Sequence, residues 1–128
     1  MRRCTAASPF LPLSLCYSHS MKLGVTEYID CAHFLPNHPK CGSLHGHTYK
    51  VEIIIEGQTK NGMVVDFAEL KQSLRDVLAK YDHRNFNDFL EYPSVENICE
   101  LLSARIKEKL SFAFTLRVWE GNGKWAEI

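Results

Sequence analysis

Apolar and polar residues alternate with a period of two in two stretches in the first half of the chain. From Met21 the odd positions Leu23, Val25, Ile29, Cys31 and His33 share one face, and only Glu27 breaks the row. From His45 to about Glu56 the odd positions His45, His47, Tyr49, Val51, Ile53 and Ile55 alternate with Thr48, Lys50, Glu52 and Glu56. This is the pattern of half-buried antiparallel strands. Lys60-Asn61-Gly62 is a turn, and Met63-Val64-Val65 a short extended piece. Asp66 with Glu69 three residues later forms a capping box. The helix it opens carries Phe67, Leu70, Leu74, Val77, Leu78 and Tyr81 at helical spacing. Ser94, after Pro93, caps a second helix whose inner face is Val95, Ile98, Leu101, Leu102, Ile106 and Leu110. Glu96 and Asn97 fall in its first turn, where an acid suits the helix dipole. Phe112, Phe114, Leu116 and Val118 form the inward row of a third strand that Glu120 continues. Gly121-Asn122-Gly123-Lys124 then turns the chain into a last strand, Trp125 to Ile128. The order is strand, strand, helix, helix, strand, strand, an α+β domain built on an antiparallel sheet.

Residues 1–20 show neither period. They mix Ser, Pro, Cys and Leu with two arginines, and Pro9 and Pro12 interrupt the one apolar stretch. We expect a disordered or mis-assigned leader, with translation starting at Met21 and one domain over 21–128. Lys plus Arg and Asp plus Glu are 15 each, for a formal net charge of +0. That balance argues for no nucleic-acid or membrane partner. No apolar stretch approaches the ~20 residues of a membrane helix. The five cysteines, Cys4, Cys16, Cys31, Cys41 and Cys99, are odd in number and widely spaced. A reduced, cytoplasmic compartment fits them better than a disulfide framework.

The chemistry concentrates in His33 and in Cys41-Gly42-Ser43-Leu44-His45-Gly46-His47. Residues i and i+2 on a strand point the same way, so His45 and His47 can grip one metal ion, with His33 as a third imidazole. Three neutral nitrogens without a fourth protein ligand describe a catalytic zinc (Zn2+) site with an open position. Cys41 is close enough to act on whatever fills that position, or to ligate as a fourth donor in a structural site. Each histidine taken singly is more ordinarily a hydrogen-bonded core residue; three converging at strand ends weaken that alternative. His38, in Asn37-His38-Pro39, is a rival ligand in an exposed loop, and His19 belongs to the leader. Glu120 is either a solvated strand end or a carboxylate kept on an apolar face to hold a ligand. Asp82-His83 lies in a polar loop, where it matters only if folding or assembly brings it to the metal; there His83 could shuttle a proton and Asp82 orient it. A zinc hydrolase would need a carboxylate base beside the metal, and none lies near His45 or His47 in sequence. A non-catalytic assembly protein with a structural metal is a third class.

Together these residues resemble a known family. Cys31-Ala32-His33-Phe34-Leu35, Cys41-x-x-x-His45-Gly46-His47, Gly62-Met63-Val64-Val65-Asp66-Phe67, Asp82-His83-x-x-Phe86-Asn87, Pro93-Ser94-Val95-Glu96-Asn97-Ile98 and a late Glu120 occur in the order of the 6-pyruvoyl-tetrahydropterin synthase family. The resemblance spans Met21 to Ile128. It implies the tunnelling fold, ββααββ, whose sheets associate into a barrel as a trimer or hexamer with active sites between subunits. It implies 7,8-dihydroneopterin triphosphate as substrate and zinc held by His33, His45 and His47. It further implies Cys41 as general base, Asp82 and His83 as proton relay, and Glu120 as the anchor of the pterin, with Ser94 and Glu96 as further substrate contacts. The tight C-x-x-x-H-G-H spacing is similar to the 6-carboxy-tetrahydropterin branch of the 7-deazapurine (queuosine and archaeosine) pathway, a lyase releasing acetaldehyde and triphosphate. Pyruvoyl-forming synthases tend to have two more residues there, and related members run aldolase chemistry. Ser94 and Gly121 stand where the family usually has threonine.

Overall fold

A computed structural model of the chain describes residues 19–128, so the leader expected over 1–20 lies outside the described residues except for its last two. The elements are β1 (Met21–His33), β2 (His45–Gly57), α1 (Phe67–Leu78), α2 (Val95–Lys107), β3 (Thr115–Glu120) and β4 (Lys124–Glu127). One antiparallel sheet runs in the order β1-β2-β3-β4. The expected ββααββ order is the observed one. α1 packs on β1, and α2 packs on β3 and β4.

The odd positions of the two long strands face the helices. Val25, Ile29, Val51, Ile53, Leu116 and Val118 meet Leu70, Leu74, Ile98, Leu102 and Ile106 in one core. Each such side chain contributes roughly 1.5–3 kcal/mol by leaving water. Glu27, the misfit of the first row, is where α1 supplies cations: Arg75 Nε lies 2.8 Å and Lys71 Nζ 3.8 Å from its carboxylate. A carboxylate on the inward face is tolerated because it is paired.

Four local expectations change. Asp66 caps α1 by accepting the Ala68 N–H at 2.8 Å, with no reciprocal bond from Glu69 among the described residues. Phe67 has the spacing of a core residue but is 53% exposed. It stands at the first helical position, where Cβ leans toward the N-terminus and away from the packed turns. Phe112 is also exposed, because β3 begins only at Thr115. β4 starts one residue early, at Lys124.

The register decides the site. The last rung of the β1–β2 ladder pairs His33 with His45, and the rung two before it pairs Cys31 with His47. Tyr49 pairs with Glu120 across β2 and β3. Because a slip of one residue would turn a whole strand face over, this register places all three histidines and Glu120 on the helix side.

Candidate metal centre

The three imidazoles converge. His33 Nε2 lies 3.0 Å from His45 Nε2, and one ligand atom from each of His33, His45 and His47 falls within 4.8 Å of the others. The rings meet edge-on, with centroids 4.6 to 5.0 Å apart. His33 is 1% exposed, so water does not compete for it.

Backbone carbonyls set the tautomers. His33 Nδ1–H donates to the Pro93 carbonyl at 2.7 Å, and His45 Nδ1–H to the Ser43 carbonyl at 2.6 Å. A carbonyl only accepts, so both ring protons sit on Nδ1 and both Nε2 atoms are bare. Two lone pairs facing each other at 3.0 Å repel unless a cation lies between them. His47 Nε2 is buried and has no hydrogen-bond partner. Burial, with the neighbouring imidazoles and Lys124, holds His47 below the usual histidine range against the opposing pull of Glu120. The neutral form it favours is the ligating form. An orphaned buried nitrogen beside two bare Nε2 atoms, each oriented by a carbonyl, fits a divalent metal ion with its outer contacts in place.

Glu120 is 12% exposed and faces this cluster. Its Oε1 lies 3.5 Å from His47 Nε2, its Oε2 4.0 Å from His33 Nε2, and Lys124 Nζ 3.1 Å from Oε1. The sequence places no carboxylate near His45 or His47; the sheet brings one there from β3. Cys41 is half-buried in the loop 34–44 that joins the ends of β1 and β2, where its carbonyl accepts the Leu35 N–H at 2.8 Å. Its Sγ is not one of the mutually close ligand atoms, so the four-ligand alternative is not the arrangement formed here. His38 is outside the cluster too, and its ring bonds within the same loop.

Asp82 and His83 lie elsewhere. Residues 83–85 run along the outer edge of β1: His83 N–H donates to the Asp30 carbonyl at 2.7 Å, Ala32 N–H to the Arg84 carbonyl at 3.0 Å, and Ala32 bridges Asn85. Asp82 Oδ1 accepts the Asp30 N–H at 2.9 Å and stands 3.0 Å from His83 Nδ1. His83 is 78% exposed at its side chain and takes a φ of 61°. His83 borders an open groove of about 630 Å³, also lined by Asp30, His47 and Thr48. Asp30 and Thr48 are even positions, on the sheet face turned away from the helices. No hydrogen bond or ion pair joins Asp82 or His83 to the three imidazoles among the described residues.

Ser94 accepts the Asn97 N–H at 3.2 Å as the α2 cap, and Glu96 is exposed on the first turn. Neither bonds to the cluster. The functional contribution of this segment that sequence patterns miss is the Pro93 carbonyl on His33. Asn87 is a second omission: its side chain accepts the Phe34 N–H at 2.8 Å and donates to the Phe34 carbonyl at 2.9 Å, clamping the residue after His33. The D-H-x-x-F-N run is the one signal of it in the sequence. Cys31 and Cys99 are free and buried, each pushed up to about 11 by burial, so both remain thiols.

A four-stranded α+β protein with three inward imidazoles at one hairpin end is the class these features define. The family model described as 6-pyruvoyl tetrahydropterin synthase matches residues 22–128. A relative from Archaeoglobus fulgidus named putative 6-carboxy-5,6,7,8-tetrahydropterin synthase is 44% identical over 109 residues, covering 84% of this chain and 95% of its own length. A Pyrococcus furiosus protein named dihydroneopterin monophosphate aldolase is 42% identical over 88 residues, covering 66% of this chain and 77% of its own. The solved Caenorhabditis elegans 6-pyruvoyl tetrahydropterin synthase superposes with a TM-score of 0.79 at 22% identity, over 87% of this chain and 96% of that one. The chain belongs to the 6-pyruvoyl tetrahydropterin synthase family.

Proposed function

We propose that this protein is a zinc-dependent lyase converting 7,8-dihydroneopterin triphosphate to 6-carboxy-5,6,7,8-tetrahydropterin, with release of acetaldehyde and triphosphate, in a 7-deazapurine pathway. The observation that carries this is the three convergent imidazoles at the end of the β1–β2 ladder, beside the loop of Cys41, in a chain of this family. His33, His45 and His47 hold the zinc, which supplies Lewis acidity that lowers the pKa of hydroxyl groups on the substrate side chain. Cys41 takes a proton from that side chain as general base. Glu120 receives the pterin through hydrogen bonds from ring N–H groups to its carboxylate. Ser94 and Glu96 approach from the first turn of α2, whose preceding carbonyl already orients His33. Asp82 and His83 return the proton, and they do so in the site of a second copy, a division supported by their place along the outer edge of β1 with no hydrogen bond or ion pair to their own chain's imidazoles among the described residues. The protein then works as a trimer or hexamer with sites between subunits and a barrel of joined sheets. We place it in the cytoplasm; among the described residues no helix is long and apolar enough to cross a membrane.

The identity to the Pyrococcus furiosus protein favours a second activity, retro-aldol cleavage of a dihydroneopterin monophosphate. Zinc-loaded protein offered the triphosphate and the monophosphate separately distinguishes the two. We expect acetaldehyde and the carboxy pterin from the triphosphate and slow turnover of the monophosphate. Faster cleavage of the monophosphate, without acetaldehyde, selects the aldolase.

A further inference from the structure

The loop that carries Cys41 is closed by a histidine outside the imidazole cluster. His38 N–H donates to the Leu35 carbonyl at 3.0 Å. Its ring then takes two further amides: His38 Nδ1 accepts the Cys41 N–H at 2.9 Å and the Lys40 N–H at 3.2 Å. No other acceptor holds these two amides among the described residues. Nδ1 accepts only when it is bare, so the ring proton sits on Nε2. Asn37 before it takes a φ of 65°, in the left-handed region that Asn tolerates better than most residues. Gly42 after Cys41 is equally constrained, because a Cβ there would stand 2.7 Å from the His38 carbonyl oxygen. Cys41 is therefore fixed through its amide by His38, through its carbonyl by Leu35, and through the close approach of the next residue to His38.

The strand ends make this placement consequential. The loop leaves β1 directly after His33 and enters β2 at His45, so both of its anchors are members of the imidazole cluster. An imidazole accepting from amides two and three residues ahead reproduces what Asn and Asp side chains do in turns. The identity of the side chain thus matters through one acceptor atom at one position.

We propose that His38 is the positioning residue for Cys41, its bare Nδ1 holding the Lys40 and Cys41 amides so that the thiol is presented at the three-histidine site. This rests on the role proposed above for Cys41. The test compares His38→Ala, His38→Asn and Cys41→Ala in the full, zinc-loaded chain, measuring zinc per chain, kcat and KM for dihydroneopterin triphosphate, and hydrogen exchange of the Lys40 and Cys41 amides. All three variants keep the wild-type zinc content. His38→Ala lowers kcat by on the order of tenfold to a hundredfold, since a displacement of about 1 Å costs that much, while KM stays within about threefold. Exchange at Lys40 and Cys41 accelerates in the same variant. His38→Asn, which restores an acceptor at the same place, brings kcat and both exchange rates back to within about threefold of wild type. Zinc loss in His38→Ala overturns the proposal by making His38 a ligand. Wild-type kcat in His38→Ala overturns it as well, and so does His38→Asn that restores slow exchange but not kcat. Full turnover in Cys41→Ala strikes the base assignment itself, and is told apart because it appears in a variant whose His38 is intact.

Discussion

The end of the β1–β2 hairpin has two sides, and they are built on opposite principles. On the helix side, His33, His45 and His47 turn ring nitrogens toward one another; His33 is buried, the other two are half-buried, and the buried His47 Nε2 has no hydrogen-bond partner. At the outer edge of β1, His83 is exposed and Asp82 half-buried, and the two are satisfied by each other and by the Asp30 backbone. Burial without partners is costly in the bare chain and becomes favourable only with a bound cation. Exposure with partners costs little and leaves the pair free to meet a surface from outside. In the proposed function, one side holds a metal ion and the other is offered to a neighbouring copy.

The largest effect that breaks this contrast is loss of an imidazole. Wild-type protein should hold about one zinc per chain, and His45→Ala or His47→Ala should lose most of it, while turnover disappears. Metal analysis after dialysis checks it, and stoichiometric zinc in both variants would remove this ligand set.

The exposed side is tested next. His83→Ala should keep its zinc and lose on the order of a hundredfold in turnover or more. Mixing it with His47→Ala, after dissociation and reassembly of the two inactive proteins, sharpens the point. If each site draws on two chains, random reassembly restores about a quarter of wild-type activity, because one in four sites then receives both intact halves. A site made within one chain would recover nothing.

A smaller effect probes the helix side by pH. The pKa of His47 is lowered in the folded protein, so its neutral form contributes stability that is present above the ordinary histidine value and lost as pH falls through the folded value. The metal-free protein should therefore melt at lower temperature as pH drops below about 6.5. His47→Gln should flatten part of that slope, as melting curves between neutral and mildly acidic pH would show.

Smallest of all are the buried thiols. Cys31→Ala and Cys99→Ala should each cost about 1 kcal/mol of stability and leave the turnover rate alone. A rate loss in Cys31→Ala larger than its stability loss explains would give that thiol, two residues from His33, a part in the site.

How much of the fold and of the site is legible in the sequence follows the range of the interactions. Strand parity is local, and by itself it puts His33, His45 and His47 on one face. Helix caps are local as well, and Asp66 and Ser94 cap as expected. Glu27 is a misfit in its strand until α1 brings Arg75 and Lys71 to it. Glu120 needs the β2–β3 register to reach His47. The position of Asp82 and His83 beside the outer edge of β1 depends on backbone pairing of residues 83–85, which no side-chain pattern announces. The Pro93 and Ser43 carbonyls that orient the imidazoles are backbone atoms, which the residue names do not reveal. His38 is visible in the sequence as chemistry but not as geometry: its exposed loop argues against a ligand, yet only the fold turns Nδ1 onto the Cys41 amide.

The proposed reaction needs an open three-histidine centre with Cys41 acting beside it rather than on it. Cys41→Ala tests this most directly, with zinc content, acetaldehyde release and pterin product measured beside the wild type. The predicted result is full zinc, an unchanged assembly and turnover reduced by on the order of a hundredfold to ten-thousandfold. Loss of zinc from Cys41→Ala would contradict it, because the thiol would then be a fourth ligand and the site a closed structural one.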